Sequence, residues 1–77
     1  MNAAEAQEVK DLLRQSNDEF RQLVDKHHEL DTRLHELSEK LYLSVSEELE
    51  EVTLKKRKLA LKDQMEEIAR QFRDPAS

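Results

Sequence analysis

One stretch decides the fold of this 77-residue chain: FRQLVDKHHELDTRLHELSEKL, residues 20–41. Large side chains, nearly all apolar, recur in it at alternating spacings of three and four residues. That spacing places them on one narrow face of an α-helix, and such a face must be buried against another helix. The residues on this face are Phe20, Leu23, His27, Leu30, Leu34, Leu37 and Leu41.

A second stretch near the C-terminus repeats this pattern after a short break, Ser-Val-Ser, at residues 44–46. Two helices joined by a short connection pack most simply as an antiparallel hairpin. We therefore predict a hairpin seam between the two helices, with Leu37 near Leu54 and Phe20 near Phe72. The second helix contributes Leu54, Leu61, Met65, Ile68 and Phe72 to this seam.

Capping signals divide the chain into three helices. Ser16 is the predicted N-cap of the second helix and Ser46 that of the third, since serine accepts hydrogen bonds from the first-turn N–H groups. Tyr42 and Leu43 are expected to cover the end of the hairpin. The predicted fold is all-α: a coiled-coil-like hairpin with a short N-terminal helix, in one domain of residues 1–77. We predict helices over about residues 3–15, 17–43 and 46–73.

The composition narrows the possible functions. Charged residues make up 40% of the chain and hydrophobic residues 36%, too little apolar surface for a wide globular core. The net charge of −5 disfavours nucleic acid and anionic membranes as general partners. The lack of cysteine excludes disulfides and thiolate metal sites. Because neither a signal-peptide pattern nor a membrane-spanning apolar run is evident, we expect a soluble, cytoplasmic protein.

The third helix carries a second apolar face, which we call the outer stripe. It points about 160–200° away from Leu54 and Leu61, so one partner helix cannot cover both faces. The short N-terminal helix joins the hairpin at the end far from the turn, so the outer stripe stays uncovered in a monomer. We therefore predict a homo-oligomer, most simply a two-fold dimer. The outer stripe consists of Val45, Leu49, Val52 and Leu59.

Histidines supply the one arrangement that resembles a metal site. His27, Asp31 and His35 follow one another at one-turn intervals, with His28 adjacent. A structural zinc site needs four ligands, however, and this helix cannot supply them all. We therefore interpret His27 as a seam residue whose ring Asp31 orients, and we predict no metal and no cofactor. A two-helix seam encloses no substrate-sized volume, so we also predict no catalytic residue and no enzymatic activity.

A basic cluster is the alternative candidate for function. It could contact the phosphates of RNA or DNA. The other interpretation is a solvated helix face, which the lack of interleaved aromatic side chains and the acidic net charge favour. The basic cluster consists of Lys55, Lys56, Arg57, Lys58 and Lys62.

Two strings, FRQLVDKHHELD at residues 20–31 and LKKRKLALKDQM at residues 54–65, resemble the YdcH-like group of small bacterial proteins of unassigned function. The departures are Asp18, where that family often has proline, and a connection without glycine. The resemblance implies an all-helical hairpin and supplies no activity, cofactor or catalytic residue. The matching residues are Phe20, Leu23, His27, Leu30, Asp31, Leu54, Lys55, Lys56, Lys58, Leu59, Leu61, Lys62 and Asp63.

Together these features predict a non-enzymatic helical interaction or adaptor module that self-associates and binds an unidentified protein partner. The alternative is a nucleic-acid-associated regulator that uses the basic cluster at residues 55–62.

Overall fold

Three α-helices make up the described part of the chain, residues 3–73 of a computed structural model. Helix α1 spans Ala3–Ser16, α2 spans Asp18–Ser38 and α3 spans Val45–Arg73. Helices α2 and α3 pack against each other as a hairpin, and α1 packs on both of them. The molecule is elongated, 48 Å by 23 Å by 20 Å. The predicted all-α, hairpin-like architecture is thus confirmed.

The boundary between α1 and α2 lies one residue later than the sequence predicts. The N-cap of α2 is Asn17, whose side-chain oxygen accepts a hydrogen bond from the Phe20 N–H at 2.9 Å. The predicted cap, Ser16, still belongs to α1, where its hydroxyl donates to the Leu12 carbonyl at 2.7 Å. Because Ser16 closes the last turn of α1, the extended position that a cap requires falls on Asn17.

Helix α2 ends at Ser38, five residues before the predicted end near residue 43. The Ser38 hydroxyl donates to the His35 carbonyl at 2.7 Å, and the Lys40 N–H bonds the Leu37 carbonyl three residues back at 3.2 Å. Such tightened bonds satisfy the carbonyls of a final turn and end the helix. The connection to α3 therefore covers residues 39–44.

A reciprocal capping box starts α3. The Ser44 hydroxyl accepts from the Glu47 N–H at 3.1 Å, and the Ser44 N–H donates to the Glu47 carboxylate at 3.0 Å. Ser46, the predicted cap, instead lies inside the first turn. The Ser44–Glu47 pair prevails because it satisfies two free backbone N–H groups at once, which Ser46 alone cannot do.

The early end of α2 moves the cross-helix contacts nearest the turn. The predicted pairing of Leu37 with Leu54 places Arg33 level with residue 58, yet Arg33 bonds Glu50 across the hairpin. Lys40 likewise bonds Glu47, closer to the turn than the predicted pairing allows. Farther from the turn the contacts stay close to the prediction, because Lys58 bonds Asp31 and both Leu37 and Leu54 are buried. The chain thus reverses direction sooner than a helix ending near residue 43 would require, and the pairing of Leu37 with Leu54 stays a prediction.

Burial is concentrated towards the two ends of the hairpin seam. Helix α1 contributes Leu13 to the core, a residue that the seam pattern leaves out, while its neighbour Leu12 is half exposed. The buried apolar residues are Leu13, Phe20, Leu37 and Leu54. The remaining hairpin-seam residues between these ends are partly buried: Leu23, His27, Leu30, Leu34, Leu61, Met65 and Ile68.

Two predicted seam residues do not lie in the seam. Leu41 is 94% exposed because it belongs to the connection and not to α2. Phe72 is 49% exposed, since Phe20 lines a cleft with Met65 and Glu66, one turn or more before Phe72. Tyr42, expected to cover the hairpin end, is 89% exposed for the same reason as Leu41.

Candidate functional site

The outer stripe of α3 is exposed along its whole length. Its four side chains retain between 51% and 75% of their accessible surface. Helix α1 does not cover them, because it meets α3 near the opposite end, around Ala69, Arg70 and Arg73. A run of large apolar side chains on one helix face is typical of an interaction surface.

Charges are segregated along α3 beside the outer stripe. The first turns carry Glu47, Glu48, Glu50 and Glu51, and the basic cluster follows from residue 55. Glu48, Lys55 and Lys62 follow one another at seven-residue intervals, so they line one edge of the outer stripe. Lys56 falls four residues after Val52 and lies within the stripe itself.

The structure divides the basic cluster. Lys55, Lys58 and Lys62 line an open groove of about 820 Å³ beside α2, the lysine groove, which Lys56 and Arg57 do not line. Lys58 is engaged there by Asp31.

The lysine groove is not a free cationic surface. The ammonium of Lys58 holds the pKa of the Asp31 carboxyl below its usual value through their hydrogen bond. Lys55 lies 3.5 Å from the Glu51 carboxylate within α3. The carboxylates that face the groove thus offset part of its positive charge.

An ion pair that the sequence pattern does not reveal joins the two long helices. The Arg33 guanidinium donates two hydrogen bonds to Glu50, at 2.9 Å and 2.8 Å, and a third to Glu36 at 3.1 Å. The hydrogen bonds from Arg33 hold the pKa of the Glu50 carboxyl below its usual value, and the bonds to Glu50 and Glu36 raise the pKa of Arg33. The sequence signal for this pair is the presence of opposite charges beside the seam. Such charges identify a pair only once it is known which residues of the two helices lie level with each other.

A further ion pair closes the hairpin end. Lys40 of the connection bonds Glu47 in the first turn of α3. That bond and the Ser44 N–H lower the pKa of the Glu47 carboxyl to about 2. Glu47 is therefore ionised at neutral pH and holds the start of α3 to the connection.

His27 lies beside Asp31 at the wall of an apolar cleft. Its Nδ1 lies 3.5 Å from the Asp31 carboxylate, and its ring lines a cleft of about 200 Å³ together with Phe20, Val24 and Met65. His35 instead contacts Glu39 at 2.9 Å, one turn further along. Within residues 3–73, His, Cys, Asp and Glu side chains do not gather in threes as a metal centre would require.

None of the helices in the described range combines the length and the apolar composition needed to cross a bilayer.

Comparison with known proteins identifies a family for this chain. The model of the family described as "Protein of unknown function (DUF465)" matches residues 20–69, more than half of the chain. Neither a curated protein nor a solved structure shows significant similarity to the chain. The matched segment starts at Phe20, includes both strings that carry the resemblance, and extends across the hairpin seam. The chain therefore belongs to the DUF465 family, the YdcH-like small proteins of unknown function.

Proposed function

We propose that this protein is a non-enzymatic helical interaction module that self-associates through the outer stripe of α3. The observation that carries the proposal is the exposure of Val45, Leu49, Val52 and Leu59 on a helix whose opposite face is already packed. A second helix with a similar apolar face can cover this surface in the way α2 covers the hairpin seam.

The expected association is weak. Burying a half-exposed side chain of this size contributes about 1–2 kcal/mol, so the eight in a two-fold pair contribute roughly 8–16 kcal/mol. Loss of translational and rotational freedom opposes association by about 4–15 kcal/mol. The small difference favours a dimer that forms and dissociates with concentration, which suits an adaptor that exchanges partners.

Sedimentation velocity across a wide concentration range tests the proposal. The native protein should shift from monomer to dimer, and Val52→Glu with Leu59→Glu should remain monomeric at every concentration. A control that adds the same two charges farther along α3, beyond the outer stripe, is Gln64→Glu with Gln71→Glu. This control should dimerise like the native protein. A native protein that stays monomeric throughout would refute the proposal.

A second function is favoured by one observation, the alignment of Lys55, Lys58 and Lys62 along the lysine groove. Three lysines in a row could follow a nucleic-acid backbone. The ion pairs with Asp31 and Glu51 and the net charge of −5 weigh against it. Binding to generic RNA and DNA in a salt series separates the two functions, because phosphate binding must weaken steeply as salt rises.

A further inference from the structure

We infer that the outer stripe receives the α3 helix of a second copy of this chain in antiparallel orientation, with Glu48 of each copy against Lys55 of the other. This inference rests on the self-association proposed above and adds its geometry. It follows from two features of α3: the position of Lys56 and the segregation of charge along the helix.

Lys56 argues against a parallel pair. In a parallel two-fold pair every core residue of a helix faces its own copy. Lys56 lies within the outer stripe between Val52 and Leu59, so two ammonium groups would meet at the centre of the interface. An antiparallel pair instead places each Lys56 beside an apolar residue of the other copy, where its methylene chain covers that residue and its ammonium extends to solvent.

The charges beside the outer stripe favour the same orientation. A parallel pair brings the acidic start of one α3 level with the acidic start of the other, and the two basic clusters level with each other. An antiparallel pair sets acidic against basic at both ends. Glu48 has no ion-pair partner among residues 3–73. Lys55 pairs with Glu51 of its own helix at 3.5 Å, but its side chain stays 64% exposed, so an approaching copy can reach both Glu48 and Lys55.

The spacing of the outer stripe then selects a register. When Leu49 packs against the partner's Val52, Val45 packs against the stem of the partner's Lys56. Both Glu48 side chains then lie beside the partner's Lys55. Shifting one helix by seven residues would instead bring the two Lys55 side chains together at the two-fold axis. The first register avoids that repulsion and leaves the partner's Leu59 level with the exposed connection that carries Tyr42.

Single cysteines measure this geometry directly, because the native chain contains none. At 1.5 Å per residue, the two copies of residue 49 or of residue 52 lie about 5 Å apart along the axis. The two copies of residue 56 lie about 17 Å apart and those of residue 59 about 26 Å apart. A disulfide spans at most about 7 Å between Cα atoms. In a redox buffer, Leu49→Cys and Val52→Cys should therefore form covalent dimers, whereas Lys56→Cys and Leu59→Cys should not.

The other cross-linking patterns contradict the inference in distinct ways. Disulfides at all four positions would establish a parallel pair. Disulfides at residues 52 and 56 without one at residue 49 would establish the shifted register. In either case a native protein that still sediments as a dimer would leave the proposed function standing. A monomer in sedimentation would instead remove the proposed function and the inference with it.

Charge reversal provides a second measurement that does not depend on disulfide geometry. Glu48→Lys alone and Lys55→Glu alone each create two like-charge contacts in the antiparallel pair. Each should weaken self-association on the order of tenfold. Mixing one variant with the isotope-labelled form of the other should restore a heterodimer, which native mass spectrometry then resolves by its mass. Arg57→Glu, a reversal away from the outer stripe, serves as the control and should dimerise normally. Failure of the mixed variants to prefer each other would overturn the Glu48–Lys55 contact.

Discussion

Replacing Leu37 and Leu41 separately by alanine tests where α2 ends. The seven-residue pattern assigns both leucines to the hairpin seam, yet Leu37 is 1% exposed and Leu41 is 94% exposed. The two substitutions remove the same atoms only four positions apart. Any difference in their effect therefore reports the surroundings and not the chemistry of the change.

The expected magnitudes differ widely. Truncating a fully buried leucine to alanine lowers the free energy of unfolding by about 2–5 kcal/mol, because apolar contacts are lost and a cavity remains. A domain of this size has only about 4–12 kcal/mol of stability, and each kcal/mol shifts its Tm by about 4–8 °C. Leu37→Ala should therefore lower the Tm by roughly 10–30 °C. Leu41→Ala should change the free energy of unfolding by less than about 0.5 kcal/mol.

Thermal unfolding followed by circular dichroism at 222 nm suits this comparison, since all three described elements are helical. The protein should be dilute, so that self-association does not add to its stability. Equal losses of Tm for the two variants would show that α2 continues through Leu41, and the helix end at Ser38 described above would then be wrong.

Three further expectations concern charge. In the folded state, cationic partners lower the pKa values of Asp31, Glu47 and Glu50. Their contribution to the stability of the fold is therefore fully present above the unfolded pKa, and it is lost as the pH falls through the folded pKa. For Glu47 this window runs from 4.5 to about 2, and a Tm titration should show Glu47→Gln losing less stability across it than the native protein. A double-mutant cycle of Arg33→Ala with Glu50→Ala should give a larger coupling than one of Arg14→Ala with Asp11→Ala, because the first pair is bidentate and joins two helices; equal couplings would contradict this. His27→Ala should lower the Tm more than His28→Ala, and EDTA should change neither value; a chelator-dependent drop shared with His35→Ala would indicate a metal site instead.

The sequence predicted the fold where one physical effect dominates. Burial of a narrow apolar face leaves few alternatives to a helical hairpin, so the pattern that begins at Phe20 identifies the architecture. The exposure of the outer stripe also followed from the pattern, because residues on opposite faces of α3 cannot share one partner.

Hydrogen bonds at the helix ends determine the features that the pattern did not predict. Leu37 and Leu41 are equivalent in spacing, and only the hydrogen bonds of Ser38 and Lys40 separate helix from connection. Similarly, Ser44 and Ser46 are both good caps, and the reciprocal bond with Glu47 selects the first. The earlier turn also shifts the cross-helix contacts nearest to it, which is why the Arg33–Glu50 pair could not be predicted.

Helix α1 lies before the segment that the family model matches, and its position has a consequence for motion. Its residues Lys10 and Arg14 line the cleft that contains Phe20, and its Leu13 is almost fully buried. If α1 detaches as a unit, Phe20 loses the side chains of α1 that cover it. Helices α2 and α3 remain joined by the buried Leu37 and Leu54 and by the ion pairs between the two helices. Native-state hydrogen exchange should then find two levels of protection, a lower one in α1 and a higher one in the hairpin. Such a sub-global opening would expose the first residue of the matched segment to a partner without dismantling the hairpin.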